Sequence, residues 1–412
     1  MADHPPSRPG VNRRFLRVKL DLSNQCQLRC VMCHFAHPEF VANPTQMDRA
    51  LLEKVAAETF PLAHEVVPSS SAEPLLSREL PRALELCREY EVPFFHFSTN
   101  GVSLNDRIID KVLETGMPSI TFSIDSHVPE TFESIRTPAR LAKILEKLDR
   151  MIRCREENPA RLPKISVTAV IMRKNIEEMP DFIRFMHSRG VDALNFVHMG
   201  VIGGLGIEDE TLLKHPAVCN RMLRRMRAVA DELGTDAQMP GPIPEHLSGG
   251  ADATDAPDAA AGGGTALLPA GATLSSAEVA DFLNQKNREF NLAVKPKQHH
   301  TRPCYFPWFY IHINPDGTVF PCGCWFEFTG FGDFRTQSFR EIWTGPKYRE
   351  LRRQLVHLEL RPVCANCSVS NMGRPDVLAS FSHRARIRKD QLRREAQSSA
   401  GGGNAEPTGR QP

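Results

Sequence analysis

The sequence predicts an α/β fold: a partial (β/α)6 barrel of the TIM type, followed by a small cysteine-rich α+β region. Six strand-like segments alternate with helix-like segments across residues 15–235, and eight of the eleven cysteines fall into two groups, at residues 26–33 and 304–367. Strands that alternate with helices favour a parallel sheet with right-handed crossovers. Folds of this kind gather their chemistry at the C-terminal ends of the strands.

Hydrophobic spacing predicts each strand and helix in turn. Residues 15–22 alternate, with Leu16, Val18, Leu20 and Leu22 on one side, which predicts the first strand. Five more strands are predicted at residues 65–67, 94–97, 119–124, 165–171 and 194–197. Helices are predicted at residues 47–59, 77–90, 104–114, 139–153, 176–189 and 208–233.

The rest of the chain differs in composition. Residues 1–14 are polar and Pro-rich and are expected to be disordered, and the Gly, Ala and Pro content of residues 236–274 predicts a flexible linker. A connecting helix is expected within residues 275–300. In the cysteine-rich region, residues 301–380, the segment Asn314-Pro315-Asp316-Gly317 predicts a β-hairpin turn, and residues 339–356 predict an amphipathic helix. The basic residues of the tail, 381–412, predict a solvated helix face.

Charge and hydropathy exclude several classes of protein. Lys and Arg number 51 against 49 Asp and Glu, so nothing indicates a nucleic-acid binder or an acidic tail. The chain has no apolar run of about 18 residues, and its N-terminus has no apolar signal-peptide core. We therefore expect a cytoplasmic protein with no membrane and no nucleic-acid partner. The cytoplasm is a reducing compartment, where grouped cysteines indicate a metal site more often than disulfides.

The first cysteine group follows the first strand directly, as Cys26, Cys30 and Cys33. Three thiolates on one short loop can bind one face of a metal centre, whereas structural zinc sites take four ligands. A [4Fe–4S] cluster held by three thiolates leaves one iron free to bind another molecule. Three further cysteines lie among apolar residues in helix-like segments and are expected to be buried: Cys87, Cys154 and Cys219.

This C-x3-C-x2-C spacing, with Met32 before the last cysteine, resembles the radical S-adenosylmethionine (radical SAM) enzymes. The resemblance implies that the free iron binds the amino and carboxylate groups of SAM. Reductive cleavage then gives methionine and a 5′-deoxyadenosyl radical, which abstracts a substrate hydrogen. The cofactors carry this chemistry while the protein positions and shields them. An electron donor of the flavodoxin or ferredoxin type is also implied.

Other strand ends carry motifs in the order that this family has. Ser71-Ala72-Glu73-Pro74 resembles the family's Gly-Gly-Glu-Pro motif, which implies that Glu73 accepts hydrogen bonds from the SAM ammonium. Both glycines are replaced here, so we expect weaker packing against SAM but retained binding. A solvated loop acid is the alternative for Glu73. Thr99 and Asn100 resemble the family's Thr-Asn-Gly, although Asn-Gly is also a common turn.

Two later segments complete the resemblance at the first site. Ser123 and Asp125 resemble the family's Ser-Ile-Asp-Gly stretch, which implies contact with the SAM ribose or carboxylate. Arg136 is implied as a partner of the SAM carboxylate, with a surface helix charge as the alternative. His198 and Met199, at the end of the sixth strand, are expected near adenine or substrate, although a buried histidine in the core is an equal alternative for His198.

The second cysteine group resembles the SPASM domain, the auxiliary-cluster module of radical SAM enzymes. The resemblance rests on the spacing Cys304-x12-Gly317-x4-Cys322, on Phe339-Arg340-Glu341-Ile342-Trp343 and on the closing Cys364-x2-Cys367. Gly373 stands where the full module has another cysteine, so the pattern resembles the shortened twitch form with one auxiliary [4Fe–4S] cluster. The implied ligands are Cys304, Cys322, Cys364 and Cys367, with Cys324 as a possible alternative.

A zinc ribbon with four cysteine ligands is the alternative for this group, because ligand type alone does not separate zinc from iron–sulfur. The leading interpretation of the whole chain is a radical SAM oxidoreductase that oxidises or epimerises a small carbohydrate or cyclitol, or modifies a peptide. Cys324, His312 and Asp333 are unproven candidates for a hydrogen donor or base. A non-catalytic zinc or iron–sulfur scaffold is the alternative, although a scaffold does not need the SAM-site residues. Since the barrel pattern begins by Phe15, no N-terminal leader-peptide-binding domain is expected.

Overall fold

A computed structural model describes residues 14–37, 43–69, 71–200, 205–243, 304–322 and 330–357, together with 359, 361 and 364. The connecting helix expected within residues 275–300, most of the linker and the basic tail lie outside these residues. The described residues up to 243 and those from 306 to 351 belong to one compact unit. Residues 304–305 and the described residues from 352 onward belong to a second unit.

The six predicted strands and the first five predicted helices are present with small shifts at their ends, whereas the helix predicted over residues 208–233 begins only at Pro216. The strands are Leu16–Leu20 (β1), Ala63–Val67 (β2), Phe94–Thr99 (β3), Ser119–Ser123 (β4), Lys164–Ile171 (β5), Ala193–His198 (β6), Asp236–Gln238 (β7), Tyr310–Ile313 (β8), Thr318–Phe320 (β9) and Gly332–Asp333 (β10). The helices are Arg49–Thr59 (α1), Leu80–Glu89 (α2), Asp106–Thr115 (α3), Pro129–Ile135 (α4), Leu141–Glu157 (α5), Met179–Ser188 (α6), Pro216–Leu233 (α7), Phe306–Phe309 (α8), Phe339–Trp343 (α9) and Pro346–Val356 (α10).

The strands form one sheet in the order β10-β9-β8-β1-β2-β3-β4-β5-β6-β7. Strands β1 to β7 are parallel to their neighbours, and β8 is parallel to β1 on the other side. This arrangement confirms the predicted α/β partial barrel. Strand β7 is formed by the first three residues of the segment 236–274, which was expected to be a linker. The predicted hairpin at Asn314–Gly317 is present, since β8 and β9 pair in the antiparallel sense.

Local sequence explains where the helices begin and end. The Asn105 side chain accepts a hydrogen bond from the Ile108 N–H at the start of α3, and Gly116 ends that helix at φ 65°. The single helix predicted over residues 339–356 is wrong, because the segment forms α9 and α10. Pro346 has no N–H to continue a helix and its ring would meet the preceding turn, so it begins the second helix.

The two faces of β1 differ in character. Leu16, Val18 and Leu20 are fully buried on the face packed against helices. Arg17 and Lys19 alternate with them and therefore face the interior of the partial barrel. TIM barrels fill this interior with branched apolar side chains. Charged residues at the same place indicate a space that holds a polar ligand.

Candidate active site

A cavity of about 550 Å³ opens at the C-terminal ends of β1 to β5. It brings together most of the side chains that the sequence predicts for the first site. The lining includes Cys26, Cys30, Met32, Cys33, Ser71, Ala72, Glu73, Thr99, Asn100, Ser123 and Arg136.

The cysteine loop is held against the C-terminal end of α4. The Arg29 N–H donates to the Thr137 carbonyl at 2.7 Å, and the Val31 N–H donates to the Ile135 carbonyl at 2.9 Å. These main-chain bonds fix the path of the loop independently of any metal. Helix α4 has only two turns and was not predicted, so the partner of this loop is a finding of the structure.

All three loop cysteines line the cavity and none is in a disulfide within the described residues. Burial raises the pKa of Cys26 to about 11 and that of Cys33 to about 12, and burial also raises the pKa of Cys30. The protein alone therefore favours thiols, and a bound metal centre would supply the charge that favours thiolates. In the described part of the chain, no three His, Cys, Asp or Glu side chains converge closely enough to hold a single metal ion.

Asn100 and Arg136 donate hydrogen bonds to two of the cysteine sulfurs. Asn100 Nδ2 lies 3.7 Å from Cys26 Sγ, and Arg136 Nη1 lies 3.8 Å from Cys30 Sγ. Hydrogen bonds to ligand sulfurs are one of the means by which proteins set the potential of an iron–sulfur cluster. The donor set of this loop therefore fits a cluster bound through three thiolates.

Glu73 is buried with both carboxylate oxygens engaged by donors from β3 and its own turn. Thr99 Oγ1 donates to Oε1 at 2.6 Å, the Asn100 N–H donates to Oε2 at 2.9 Å, and the Leu75 N–H donates to Oε1 at 3.2 Å. Burial raises the pKa of Glu73 despite these donors. Among the described residues Glu73 forms no ion pair, so its buried charge is suited to a cationic ligand. Pro74 is buried behind it, at the start of a 3₁₀ turn.

The replaced glycine of this motif has a specific partner. Ser71 Oγ donates to Asp21 Oδ2 at 2.9 Å, and the Ser71 N–H donates to Oδ1 at 3.3 Å. Asp21 Oδ2 also lies 2.9 Å from His312 Nε2 on β8, and both residues are buried. Serine at this position therefore connects the Glu73 turn to β1 and β8. His312 and Asp333 are not among the described residues that line the cavity.

Arg136 and Asp125 form a buried ion pair at the cavity wall. Arg136 Nε lies 2.7 Å from Asp125 Oδ2, and Nη2 donates to Oδ1 at 3.1 Å. The Val170 N–H of β5 donates to the same Oδ1 at 2.8 Å. Burial alone would lower the pKa of Arg136, but the Asp125 charge outweighs burial and raises it. Arg136 is thus a framework cation facing the cavity, whereas Asp125 lies behind it.

The end of β6 contributes an apolar wall. Met199 packs with Ile135 and Met172, and Met32 of the cysteine loop lies against this group. His198 is half-buried, and burial lowers its pKa. Of the two residues predicted at this strand end, Met199 is the one packed against the cysteine loop.

Sequence reasoning missed one wall of the cavity. Arg17, Lys19 and His96 line it from β1 and β3. The alternation of residues 16–20 could have predicted this wall. Leu16, Val18 and Leu20 lie on the helix-facing side of β1, so residues 17 and 19 face the interior of the barrel.

Comparison with protein families identifies two regions of the chain. A model of the radical SAM superfamily matches residues 20–186, and a model of the SPASM iron–sulfur cluster-binding domain matches residues 304–368. The chain therefore contains a radical SAM domain and a SPASM domain. The radical SAM domain implies a [4Fe–4S] cluster and SAM, and the SPASM domain implies auxiliary iron–sulfur binding.

The curated relatives share the radical SAM part of the chain. A Pyrococcus furiosus protein, the tungsten-containing aldehyde ferredoxin oxidoreductase cofactor-modifying protein, is 29% identical over 179 residues, which are 42% of this chain and 49% of the relative. The GTP 3′,8-cyclase of Marinobacter nauticus is 26% identical over 199 residues, 47% of this chain and 57% of the relative. The chain therefore matches about half the length of these curated relatives.

Solved radical SAM structures share the fold over most of the chain. Streptococcus suis SuiB bound to the precursor peptide SuiA has a TM-score of 0.54 at 13% identity, covering 82% of this chain and 67% of SuiB. Native anSMEcpe with bound AdoMet has a TM-score of 0.53 at 14% identity, covering 86% and 88%. At these identities the likeness shows the fold. None of the described helices is long and apolar enough to cross a membrane.

The SPASM cysteines are only partly described. Cys304, Cys322 and Cys364 are half-buried. Cys324 and Cys367 lie outside the described residues, so the ligand set of the auxiliary cluster stays a prediction.

Proposed function

We propose that this radical SAM enzyme oxidises a polar organic substrate in the described cavity, either a small carbohydrate or cyclitol, or a peptide. The observation that carries the proposal is the meeting of three loop thiols, a buried carboxylate and a buried arginine in one cavity at the C-terminal edge of the parallel sheet. This edge is where parallel α/β barrels place their chemistry. The polar interior wall supports a polar substrate.

Cys26, Cys30 and Cys33 would hold the first cluster, and Cys304, Cys322, Cys364 and Cys367 the auxiliary one. When bound, the first cluster and SAM supply hydrogen-atom abstraction, and the auxiliary cluster supplies an electron acceptor. The chain's own residues position these groups and keep water from them. An external donor of the flavodoxin or ferredoxin type, in the cytoplasm, would supply the electron for SAM cleavage.

The SAM contacts divide by the charge that each residue offers. Glu73 would accept hydrogen bonds from the SAM ammonium, because its buried carboxylate otherwise faces donors without a cation. Arg136 would face the SAM carboxylate. Asp125 acts through Arg136 by holding its guanidinium. Thr99 and Asn100 orient Glu73, and Ser123 offers a hydroxyl at the cavity wall.

Oxidation needs no hydrogen donor, whereas epimerisation does, and its candidate Cys324 lies outside the described residues. Epimerisation needs a hydrogen donor on the opposite face of the substrate, often a thiol. Within the described ranges, the thiols that line the cavity are those of the three loop cysteines, which are assigned to the cluster. SuiB and anSMEcpe are named with bound peptides, and they support the peptide class through a shared fold.

Anaerobic reconstitution tests the proposal. Two [4Fe–4S] clusters require about eight irons per chain, and reduction in the presence of SAM should yield 5′-deoxyadenosine. A Cys30→Ala variant should lose that product while keeping the auxiliary iron, about four per chain. Cys154→Ala, at a helix cysteine away from the cavity, is the matched control and should keep both.

Two results would contradict the proposal. Bound zinc in place of iron would favour the scaffold, as would intact clusters that never cleave SAM. Retained cleavage in Cys30→Ala would refute the ligand assignment. Candidate peptides and cyclitols can then be compared by the substrate-dependent increase in 5′-deoxyadenosine.

A further inference from the structure

Two arginines line the cavity, and they differ in what their terminal nitrogens contact. Arg136 donates from Nη1 to Cys30 Sγ and from Nη2 to Asp125. Arg17 is anchored through Nε, which lies 2.8 Å from Glu65 Oε2. In the part of the chain that the structure describes, neither Nη of Arg17 donates a hydrogen bond. Its guanidinium is therefore held by Glu65 at Nε, and its terminal nitrogens make no hydrogen bond to a described residue.

Glu65 is fixed from two sides. Its Oε1 lies 3.0 Å from His96 Nε2, and its Oε2 pairs with Arg17. Burial acts to raise the pKa of Glu65, but the hydrogen bond from His96 and the Arg17 charge together outweigh burial, so the net effect is a lowered pKa. Glu65 thus stays ionised behind the cavity wall and orients Arg17, while its own carboxylate is not part of the described lining.

Lys19 adds a second cation to the same wall. It faces the cavity two residues after Arg17 on β1. Same-face residues of a strand that are two apart lie about 7 Å from each other. Their long side chains can therefore reach one group of atoms between them. Burial lowers the pKa of Lys19, and the Arg17 charge adds to this.

Cationic side chains outnumber carboxylates in the described lining, although Glu65 pairs with Arg17 and Asp125 pairs with Arg136 behind it. Arg17, Lys19 and Arg136 are cationic, and Glu73 is the one carboxylate of the described lining. Glu73 is engaged by Thr99, Asn100 and Leu75 at the strand ends. The two terminal nitrogens of a guanidinium, beside a second cationic side chain, match the geometry and charge of a carboxylate or phosphate.

We propose that Arg17 and Lys19 bind an oxyanion of the substrate, a carboxylate or a phosphate, at the β1 wall of the cavity. The inference rests on the proposed function, because it assigns the substrate class of the same cavity. SAM carries its own carboxylate, but Arg136 at the cysteine loop is the cation placed for that group. Arg17 and Lys19 are therefore specificity-determining residues.

Calorimetry on the reconstituted holoenzyme with SAM bound tests this assignment, using inorganic phosphate and acetate as separate probes at constant ionic strength. At least one probe should bind saturably. Arg17→Gln and Lys19→Met should each weaken that binding about tenfold or more, since each removes charge-assisted hydrogen bonds. Binding of phosphate alone assigns a phosphate ester, and binding of acetate alone assigns a carboxylate.

Two further variants keep the test decisive. Arg17→Lys retains a cation for Glu65 but loses the fork, so it should fold and still bind the probe more weakly than wild type. Arg150→Gln removes an exposed arginine of α5 and should bind the probe as wild type does. SAM affinity and substrate-free formation of 5′-deoxyadenosine should be unchanged in Arg150→Gln.

Three outcomes would overturn the inference: neither probe saturates the wild type, the variants bind the probe as tightly as the wild type, or Arg17→Gln weakens SAM binding equally. Failure of the proposed function looks different, because the wild type would then bind the probe without cleaving SAM. Cleavage of SAM without probe binding would leave the proposed function standing and remove the inference alone.

Discussion

The cysteine-loop end of the cavity and its β1 wall use the same residue types in opposite ways. At the cysteine-loop end, Arg136 and Glu73 are buried and their polar atoms are engaged by Asp125, Thr99 and the main chain. At the β1 wall, Arg17 keeps 35% of its side chain exposed and has one carboxylate partner. Under the proposed function, the engaged groups form a fixed frame for the cofactor, whereas the terminal nitrogens of Arg17 bind the substrate.

The largest expected effect comes from breaking the frame. Arg136→Gln leaves the Asp125 carboxylate buried without its cation, and such losses typically cost about 3–5 kcal/mol. The free energy of unfolding of the reconstituted protein, measured by urea denaturation, should fall by that amount. The double variant Arg136→Gln/Asp125→Asn should recover part of the loss, because no buried charge is left unpaired.

An exposed pair provides the matched control for this prediction. Arg150 of α5 pairs with Asp106 at the surface, and Arg150→Gln should cost less than about 1 kcal/mol. If Arg136→Gln costs no more than Arg150→Gln, the cysteine-loop end is not the rigid frame that its contacts indicate.

A smaller effect is expected at the replaced glycine. Ser71→Gly removes the hydroxyl that donates to Asp21 but keeps the main-chain donor. Loss of one hydrogen bond and gain of glycine freedom should together lower the free energy of unfolding by about 1–2 kcal/mol.

Ser71→Ala separates the two causes of that loss, since it removes the hydroxyl without adding backbone freedom. SAM affinity, measured by equilibrium dialysis, should stay within about twofold in both variants, a difference below about 0.5 kcal/mol. A larger loss of SAM affinity in Ser71→Gly would show that the serine, and not only its main chain, positions Glu73.

Local patterns predicted the strands and the motifs at their ends, because alternation, turn residues and cysteine spacing are all short-range features. The Asp125–Arg136 pair was not predicted. It depends on α4, whose seven residues are too few for a helical period to be recognised. The break at Pro346 shows the opposite case, since the residue that ends the predicted helix is visible in the sequence.

The β1 wall could have been predicted in part. The leucines and valine of β1 identify the buried face, so the opposite face of Arg17 and Lys19 follows from period two. What alternation does not reveal is the partner of each charge. Glu65 and His96 come from two other strands, and only the register of β1, β2 and β3 brings them to Arg17.

The smallest expected effect is a pH dependence of stability at the β1 wall. The folded-state pKa of Glu65 lies below its usual range of about 4.3, because the His96 hydrogen bond and the Arg17 charge outweigh burial. A depressed carboxyl pKa stabilises the fold above the unfolded-state pKa, and this contribution is lost as the pH falls through the folded-state pKa. Since Arg17 is partly exposed, the contribution should be roughly 1 kcal/mol or less.

Urea denaturation of wild type and Glu65→Gln from pH 7 down to about pH 2, which crosses the depressed folded-state pKa, measures this contribution. The wild type should be the more stable at pH 7, and the difference should shrink toward the acid end, where Glu65 itself becomes protonated. Glu157→Gln, at an exposed glutamate of α5, should differ from wild type by less than about 0.5 kcal/mol throughout. A Glu65→Gln difference that stays constant with pH would show that Glu65 holds Arg17 by shape and not by charge.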